Sequence, residues 1–341
     1  VTQTPQMPEP RVSVLIPAWE AASTLGACLR SVTRQRLEAW ECVVVDDGSR
    51  DATARVAREA AAADPRIRVV SRPHRGLVDA LRAGLAHCRA PVVARLDADD
   101  LMHRDRLTAQ LAALAADPAL DAVGCRVRLF PRRGLQPGGR AYEAWLNAID
   151  SPAAVRREAF VECPVAHPGL ALRWPVLEAY GYRDVPWAED YDLVLRLLAD
   201  GRRIGVVPRR LLLWRHGAPR LSRRDPRYSV DAFTACKAHF LARGLLAEHR
   251  RYVLWGYGET GKTLRRALAG ERRHPAHIVE LHPRRLGEII HGAPVVPPEA
   301  LASLPALPVV VSVAGAGPRA QIRATLTALG RRQLRDFVCA A

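Results

Sequence analysis

Three carboxylates crowd together in Arg95-Leu96-Asp97-Ala98-Asp99-Asp100, directly after the apolar run Pro91-Val92-Val93-Ala94. That run reads as a buried strand. A strand that ends in acids and leads into a helix puts those acids at the carboxyl edge of a sheet, where open α/β folds hold their ligands. Like charges this close repel unless a cation stands between them. Mg²⁺ or Mn²⁺ suits the task, because each takes one or two carboxylates together with the oxygens of a substrate diphosphate. The competing use is local, with Asp99 or Asp100 capping a helix that begins near His103.

A second acidic group lies in Trp187-Ala-Glu-Asp-Tyr-Asp-Leu-Val-Leu-Arg-Leu-Leu198, whose apolar spacing predicts a helix. At about 100° per residue, Asp190 shares a face with Leu193, Val194 and Leu197, whereas Asp192 points to the opposite side and Glu189 to a flank. Asp190 is therefore expected to be the one acid aimed at the core, where a carboxylate is costly without a partner or a task. The alternative is an acid favoured by the helix dipole. Two histidines are further candidates: His216 either completes a metal or diphosphate site or sits in an exposed loop, and His167 either shapes an acceptor side or packs.

A third group is Gly256-Tyr-Gly258-Glu-Thr-Gly261-Lys262, which follows the apolar Tyr252–Trp255 and leads into Leu264 and Leu268 at helical spacing. The strand His277–Glu280 then places an acid about 20 residues after the glycines, the context of a mononucleotide-binding half. Gly256, Gly258 and Gly261 would admit a phosphate or an NAD pyrophosphate, Glu280 a ribose hydroxyl, and Arg284 and Arg285 a further phosphate. A scaffold that packs or dimerises is the competing reading, since no catalytic acid, base or hydride-transfer partner accompanies the glycines.

The elements that must position these groups alternate. Strands at 12–16, 42–45, 67–70 and 91–96 are separated by helical patterns at Leu25, Cys28, Leu29 and Val32, at Val56 and Ala60, and at Val78, Leu81 and Leu85. Such alternation predicts a parallel sheet with helices on both faces. Leu107, Leu111 and Leu114 give another helix, and residues 122–130 a longer strand. A turn or mobile loop is expected at 131–139, and helical patterns around 141–149 and 152–161. A strand at 169–172, a helix at 174–180 and short strands within 203–208 and 211–216 come next. A polar segment, 217–228, suits a flexible cover over a site, and a connecting helix follows, ending near Gly244 or running on to Arg251.

A chain of 341 residues is too long for one ordinary core. The expected partition is a tail at 1–10, a first domain at 11–225, a helical linker at 226–250 and a second domain at 251–341. The net charge of +16 is carried almost wholly by arginine, Lys237 and Lys262 being the only lysines. The basic residues are spread rather than striped and are not interleaved with aromatics, so specific nucleic-acid binding is not expected. The seven cysteines are scattered and never in C-x-x-C spacing, which argues against zinc and disulfide frameworks. No stretch approaches a membrane span and no signal pattern opens the chain, so a cytoplasmic location is expected; the basic surface permits peripheral contact with anionic lipid at the inner membrane face.

Residues 11 to about 225 resemble the family 2 glycosyltransferases, inverting enzymes of the GT-A fold. The matching stretches are Val12-Ser-Val-Leu-Ile-Pro-Ala-Trp-Glu20, Val44-Val-Asp-Asp-Gly-Ser49, Gly76-Leu-Val-Asp-Ala80 with Gly84-Leu85, Leu96-Asp-Ala-Asp-Asp100, His167-Pro168 and Glu189-Asp-Tyr-Asp-Leu193. The resemblance implies an α/β GT-A nucleotide-diphospho-sugar transferase fold. It assigns Pro17, Trp19, Glu20, Asp46, Asp47 and Asp97 to the donor nucleotide, Asp99 to Mn²⁺ or Mg²⁺, and Asp190 to the base, with Glu189 beside it. Trp19-Glu20 replaces the commoner Tyr-Asn, and Arg82 stands where many members carry Asn, so base and sugar preference can differ. A UDP-sugar is the expected donor; the acceptor hydroxyl, whether carbohydrate, lipid-linked or other, is left open. The C-terminal part resembles small Rossmann-like α/β domains. The rival readings are an oxidoreductase or sugar-nucleotide-modifying enzyme working through that part, and a non-catalytic binding protein that keeps the fold.

Overall fold

The computed structural model describes residues 8–217 and 225–341. The expected tail at 1–10 and cover segment at 217–228 therefore lie largely outside the described residues. In chain order the elements are β1 Val12–Ala18, α1 Ala22–Thr33, β2 Trp40–Asp46, α2 Thr53–Ala63, β3 Ile67–Ser71, α3 Leu77–Leu85, β4 Val92–Arg95, β5 Leu101–Met102, α4 Arg106–Ala116 and β6 Ala122–Phe130. There follow α5 Pro137–Asn147, α6 Pro152–Glu158, β7 Ala171–Arg173, α7 Trp174–Tyr180, α8 Glu189–Ala199, β8 Ile204–Arg215 and α9 Val230–Arg243. The remainder comprises β9 Arg251–Trp255, α10 Glu259–Gly270, β10 His274–Val279, β11 Ile289–Ile290, β12 Ala293–Val296, β13 Val309–Val311, α11 Ala316–Ala328 and β14 Phe337–Cys339.

The first compact unit comprises residues up to Val155, with Val165–Asp184 and Arg196–Ala218. Its eight-stranded sheet has the order β3-β2-β1-β4-β7-β6-β8-β5. Strands β1 to β4 pair in parallel, as their separation by α1, α2 and α3 requires. The expectation of a wholly parallel sheet fails beyond β4: β7 runs antiparallel to both β4 and β6, and β5 is antiparallel to β8. Because β7 reverses the direction on either side of itself, β6 and β8 run the same way as β4. The carboxyl ends of β1, β2, β4 and β8 thus share one edge. Strand β8 is one long strand rather than two short ones, and its register against β6 shifts around Arg126, where the two expected strands meet.

Local corrections have simple causes. Pro137 opens α5, so Gly138 and Gly139 lie in a helix, with Pro at a position where its missing N–H costs nothing. Helix α4 starts at Arg106, not near His103, and β5 intervenes between the acids and the helix. Asp99 and Asp100 therefore do not cap α4, whose N-cap position is held by Asp105.

The second compact unit comprises Arg156–Pro164, Val185–Leu195 and the chain from Pro219 onwards. Its sheet has the order β11-β12-β10-β9-β13-β14, parallel throughout except at the β11 edge. Strand order reverses at β9, which leads to β10 on one side and has β13 on the other, making a topological switch point at its carboxyl end. The segment expected as a linker, 226–250, is instead part of this core: Ala238 and Leu241 of α9, with Leu246, are buried in one apolar cluster with Tyr252 and Leu254 of β9 and Leu264 of α10.

Candidate active site

At the carboxyl edge of the first sheet, the loop after β4 brings the carboxylates of Asp97, Asp99 and Asp100 together, with ligand oxygens within 4.8 Å of one another. Asp97 and Asp99 are partly exposed and Asp100 is fully buried. Two arginines, neither assigned by the sequence reading, organise the cluster. Arg95, buried at the end of β4, donates from Nη2 to Asp97 Oδ1 at 2.6 Å. Arg215, at the end of β8, donates its backbone N–H to Asp100 Oδ1 at 2.6 Å and its Nε to the Asp99 backbone carbonyl at 2.7 Å. Its guanidinium also lies over the Phe130 ring. Arg215 thus fixes Asp100, and the three carboxylates together offer oxygen ligands of the kind a hard cation takes; the donor set fits Mn²⁺ or Mg²⁺.

Behind the cluster, fully buried Arg106 donates to the backbone carbonyl of Arg95 at 2.8 Å and to Gln110, whose amide in turn reaches the carbonyls of Val123 and Gly169. This cross-bracing holds β4 against β6 and the turn preceding β7. Arg95 and Arg106 were hidden from sequence reading by the general rule that arginine belongs at the surface. A charged residue closing an apolar strand was the available signal for Arg95.

The other candidates fall at the same edge. Pro17 closes β1, and beyond it Trp19 is exposed and stacks on His74 with ring centroids 4.6 Å apart. Glu20 adopts a positive φ of 50° and accepts the Arg50 N–H at 2.7 Å, tying its loop to the one after β2. Asp46 accepts the Ser49 N–H. Asp47 is buried and draws the 72–76 loop over itself, accepting from the Gly76 N–H at 2.8 Å and meeting Arg72 at 3.3 Å and His74 at 2.8 Å. Gly48 makes this possible: its φ is +71°, and a Cβ there would lie 2.5 Å from the His74 nitrogen. Arg82 donates to the Tyr182 carbonyl at 2.9 Å, fastening α3 to the loop after α7.

His167 is buried and exchanges a hydrogen bond with the Tyr182 hydroxyl at 2.8 Å. Burial, reinforced by the Arg95 cation, pushes its imidazole down to about 3, so it is a neutral packed histidine. His216 follows β8, donates its N–H to the Phe130 carbonyl at 2.7 Å, and sets its ring beside Gly139 of α5.

The acids of α8 depart from expectation. Asp190 is not the one turned to the core: Glu189 and Asp192 are each only 2 % exposed, and Asp190 is partly exposed. Residues 191–198 are buried without a break, so this helix has no solvent face for a 100° pattern to report. The buried acids have partners, the Tyr228 hydroxyl donating to Glu189 at 2.6 Å and the Trp187 indole N–H to Asp192 at 3.2 Å. Burial, and then the Glu189 charge, push the Tyr228 phenol well above its ordinary range. Asp190, which accepts the Tyr191 N–H at 2.7 Å, is the partly exposed acid of α8.

In the second sheet, Gly256, Gly258 and Gly261 form the turn from β9 into α10, and Glu280 follows β10, its carboxylate accepting the Tyr257 N–H.

Comparison with known proteins places these observations. A sequence profile described as Glycosyl transferase family 2 matches residues 13–180. The amylovoran biosynthesis glycosyltransferase AmsE of Erwinia amylovora is 31 % identical over 216 residues, covering 62 % of this chain and 79 % of its own. Escherichia coli chondroitin synthase is 28 % identical over 191 residues, 55 % of this chain but only 26 % of that much longer protein. Among solved structures, S. aureus TarS (1–349) in complex with UDP-GlcNAc is similar in fold, with a TM-score of 0.54 at 16 % identity, covering 76 % of this chain and 71 % of that one.

Proposed function

The chain belongs to the family 2 glycosyltransferases, enzymes that draw their sugar from nucleotide-sugar donors, and on that premise we propose a metal-dependent inverting transfer to an acceptor hydroxyl with a UDP-sugar as donor. The observation that carries this reading is the grouping of three carboxylates at one sheet edge, braced by Arg95 and Arg215. The UDP-GlcNAc bound to the TarS neighbour supports the choice of base.

Asp97 and Asp99 are the residues that would hold the metal ion, which when bound offsets the negative charge of the donor diphosphate. Asp99 is the main ligand, and Asp97, steadied by Arg95, stands on the ribose side. Pro17, Trp19, Glu20, Asp46 and Asp47 border the nucleotide, with Trp19 offering an exposed ring face on which a base stacks. Asp190 takes the proton from the acceptor oxygen as that oxygen forms its bond to the anomeric carbon and the bond to the diphosphate breaks, so configuration inverts in one displacement. Glu189, held by Tyr228, and Arg82 and His216 are supporting residues whose part is positional. His167 supports the site by packing, as its depressed pKa and its bond to Tyr182 suggest.

Thermal unfolding with UDP, GDP, dTDP, CDP or NAD, each with and without Mn²⁺, tests this for the parent and for Asp99→Ala. A ligand at about 100 times its dissociation constant stabilises by roughly 2.7 kcal/mol. We expect stabilisation by UDP only with metal, and none in Asp99→Ala. Stabilisation by UDP that ignores both metal and the substitution would sink the reading.

A further inference from the structure

A cavity of about 770 Å³ lies in the first compact unit, between α5 and the middle of β8. That volume is in the range of small-molecule sites. One wall is α5, fastened to β6 by its own side chains. The Asn147 amide accepts the Val127 N–H at 2.7 Å and donates to the Val127 carbonyl at 2.9 Å, and Glu143 accepts the Leu129 N–H at 3.0 Å. The facing wall is a bulge in β8. Register passes from Val207 opposite Cys125 to Arg210 opposite Arg126, leaving Pro208 and Arg209 as extra residues on β8. Pro208 has no N–H to give to a ladder, and a bulge re-aims the side chains beside it. Arg126 and Arg210 both line the cavity.

Two arginines directly opposite on neighbouring strands repel, and the arrangement costs stability unless an anion stands between them. The Arg126 Nε is also buried and has no hydrogen-bond partner, a cost that a ligand oxygen would remove. Other charges at the cavity cancel locally: Glu143 is met by Arg132 at 2.5 Å, and Arg209 by Asp105 at 2.7 Å. Arg126, Arg140 and Arg210 make no ion pair among the described residues; Arg126 and Arg140 reach only the backbone carbonyls of Pro208 and Leu135. Three uncompensated guanidinium groups on one void select a ligand with several anionic oxygens.

The rest of the lining narrows the class. It holds no Phe, Tyr or Trp on which a base would stack, which disfavours a nucleic acid. Its apolar part is Ala144, Ala148, Pro208 and Leu211, and none of the exposed large apolar side chains belongs to it, which disfavours a bilayer. A polyhydroxylated anion is what such a surface suits. Its position relative to the acidic cluster fits a chain with one end to be modified: Arg210 precedes Arg215 by five residues, about 17 Å along β8, and Gly139, next to Arg140, lies beside the His216 ring. We propose that this cavity binds an anionic carbohydrate chain, with its carboxylate or phosphate groups on Arg126, Arg140 and Arg210. Binding stands by itself, whereas the further assignment of that chain as the acceptor rests on the transferase reading.

The test is calorimetric titration of the full chain at an ionic strength of about 0.15 M, where long-range attraction to a basic surface is screened. The probes are a linear hexauronate, a hexose oligomer joined by phosphodiesters, neutral maltohexaose, and phosphatidylserine–phosphatidylcholine vesicles. We expect saturable binding of at least one anionic oligomer and none of maltohexaose; which oligomer binds identifies the anionic group. Arg126→Gln combined with Arg210→Gln should weaken binding about tenfold or more and, by relieving repulsion, leave the unfolding temperature equal or higher. Arg34→Gln combined with Arg58→Gln removes the same charge from exposed positions of the same unit and should leave binding nearly unchanged. Arg210→Gln alone, at an exposed position, repeats the measurement should the first double variant fold poorly. UDP with Mn²⁺ is titrated in parallel, and its failure to bind the parent would count against the transferase reading alone. Three results overturn the proposal: neither anionic oligomer binds at millimolar concentration, the two double variants lose binding equally, or vesicles bind through Arg126 and Arg210 while neither oligomer does.

Discussion

Asp190 and His167 show how burial divides similar-looking polar residues into different tasks. Asp190 is the accessible acid of its helix, and Asp190→Asn removes its capacity to take a proton while keeping its shape. Its expected effect is a fall in turnover of about 10²–10⁴-fold with donor affinity unchanged, read from product formation beside a donor titration. Loss of donor binding in step with turnover would instead make it a binding residue. His167 is held neutral, its imidazole moved from an ordinary 6.5 to about 3. Between these values the unfolded chain binds a proton that the folded chain refuses, so stability is intact above about pH 6.5 and is lost as pH falls. At pH 5 the loss attributable to this residue is roughly 2 kcal/mol. Urea midpoints at pH 7 and pH 5 should therefore diverge more in the parent than in His167→Gln; equal divergence would assign the acid sensitivity elsewhere.

At the scale of elements, close approach is what sets the loops where they work. Helix α3 lies on β1 and β2 through Gly84, where a Cβ would stand 2.2 Å from Leu15 Cδ1 and 2.7 Å from Val45 Cγ2. Gly84→Ala should cost about 1–3 kcal/mol as the helix is forced outward, despite alanine's better helix propensity. Chemical denaturation gives the answer, and a stabilised variant would mean that Leu15 repacks at no cost. The same helix carries Arg82, so the variant should also weaken the tie to Tyr182. Elements with a solvent face were the ones legible in advance: α1 buries the expected Leu25, Cys28, Leu29 and Val32. Helix α8 was not, since a helix buried along its length carries no period that separates inside from outside.

For the whole molecule, the linear partition at residues 225 and 250 does not describe how the chain divides. Residues 156–164 and 185–195 belong with the C-terminal sheet, and α9 sits in that sheet's core. Lys237 of α9, nearly buried, donates to the carbonyls of Val161 and Ala340, joining three distant segments of this unit. A chain cut after Arg250 would leave Ala238, Leu241 and Leu246 without the β9 and α10 side chains that bury them. We expect such a piece to aggregate or unfold non-cooperatively and to lack transfer; a soluble piece with full transfer would restore the beads-on-a-string division. Among the described residues, no helix is long and apolar enough to cross a membrane.

The sequence by itself determined what is local: the alternation of β1 to α3, the acids that end β2 and β4, and the glycine turn into α10. Period, turn chemistry and motif spacing act within about 20 residues, and they are written in the chain order. Tertiary structure alone decided which charges meet. Arg215 reaches the acids after β4 across more than a hundred residues only because β7 reverses the sheet and returns β8 to the same edge. It also decided which acid of α8 stays accessible, and that α9 belongs to a core rather than a linker. Burial is a property of what surrounds a residue, and the surroundings here come from segments far apart in the chain.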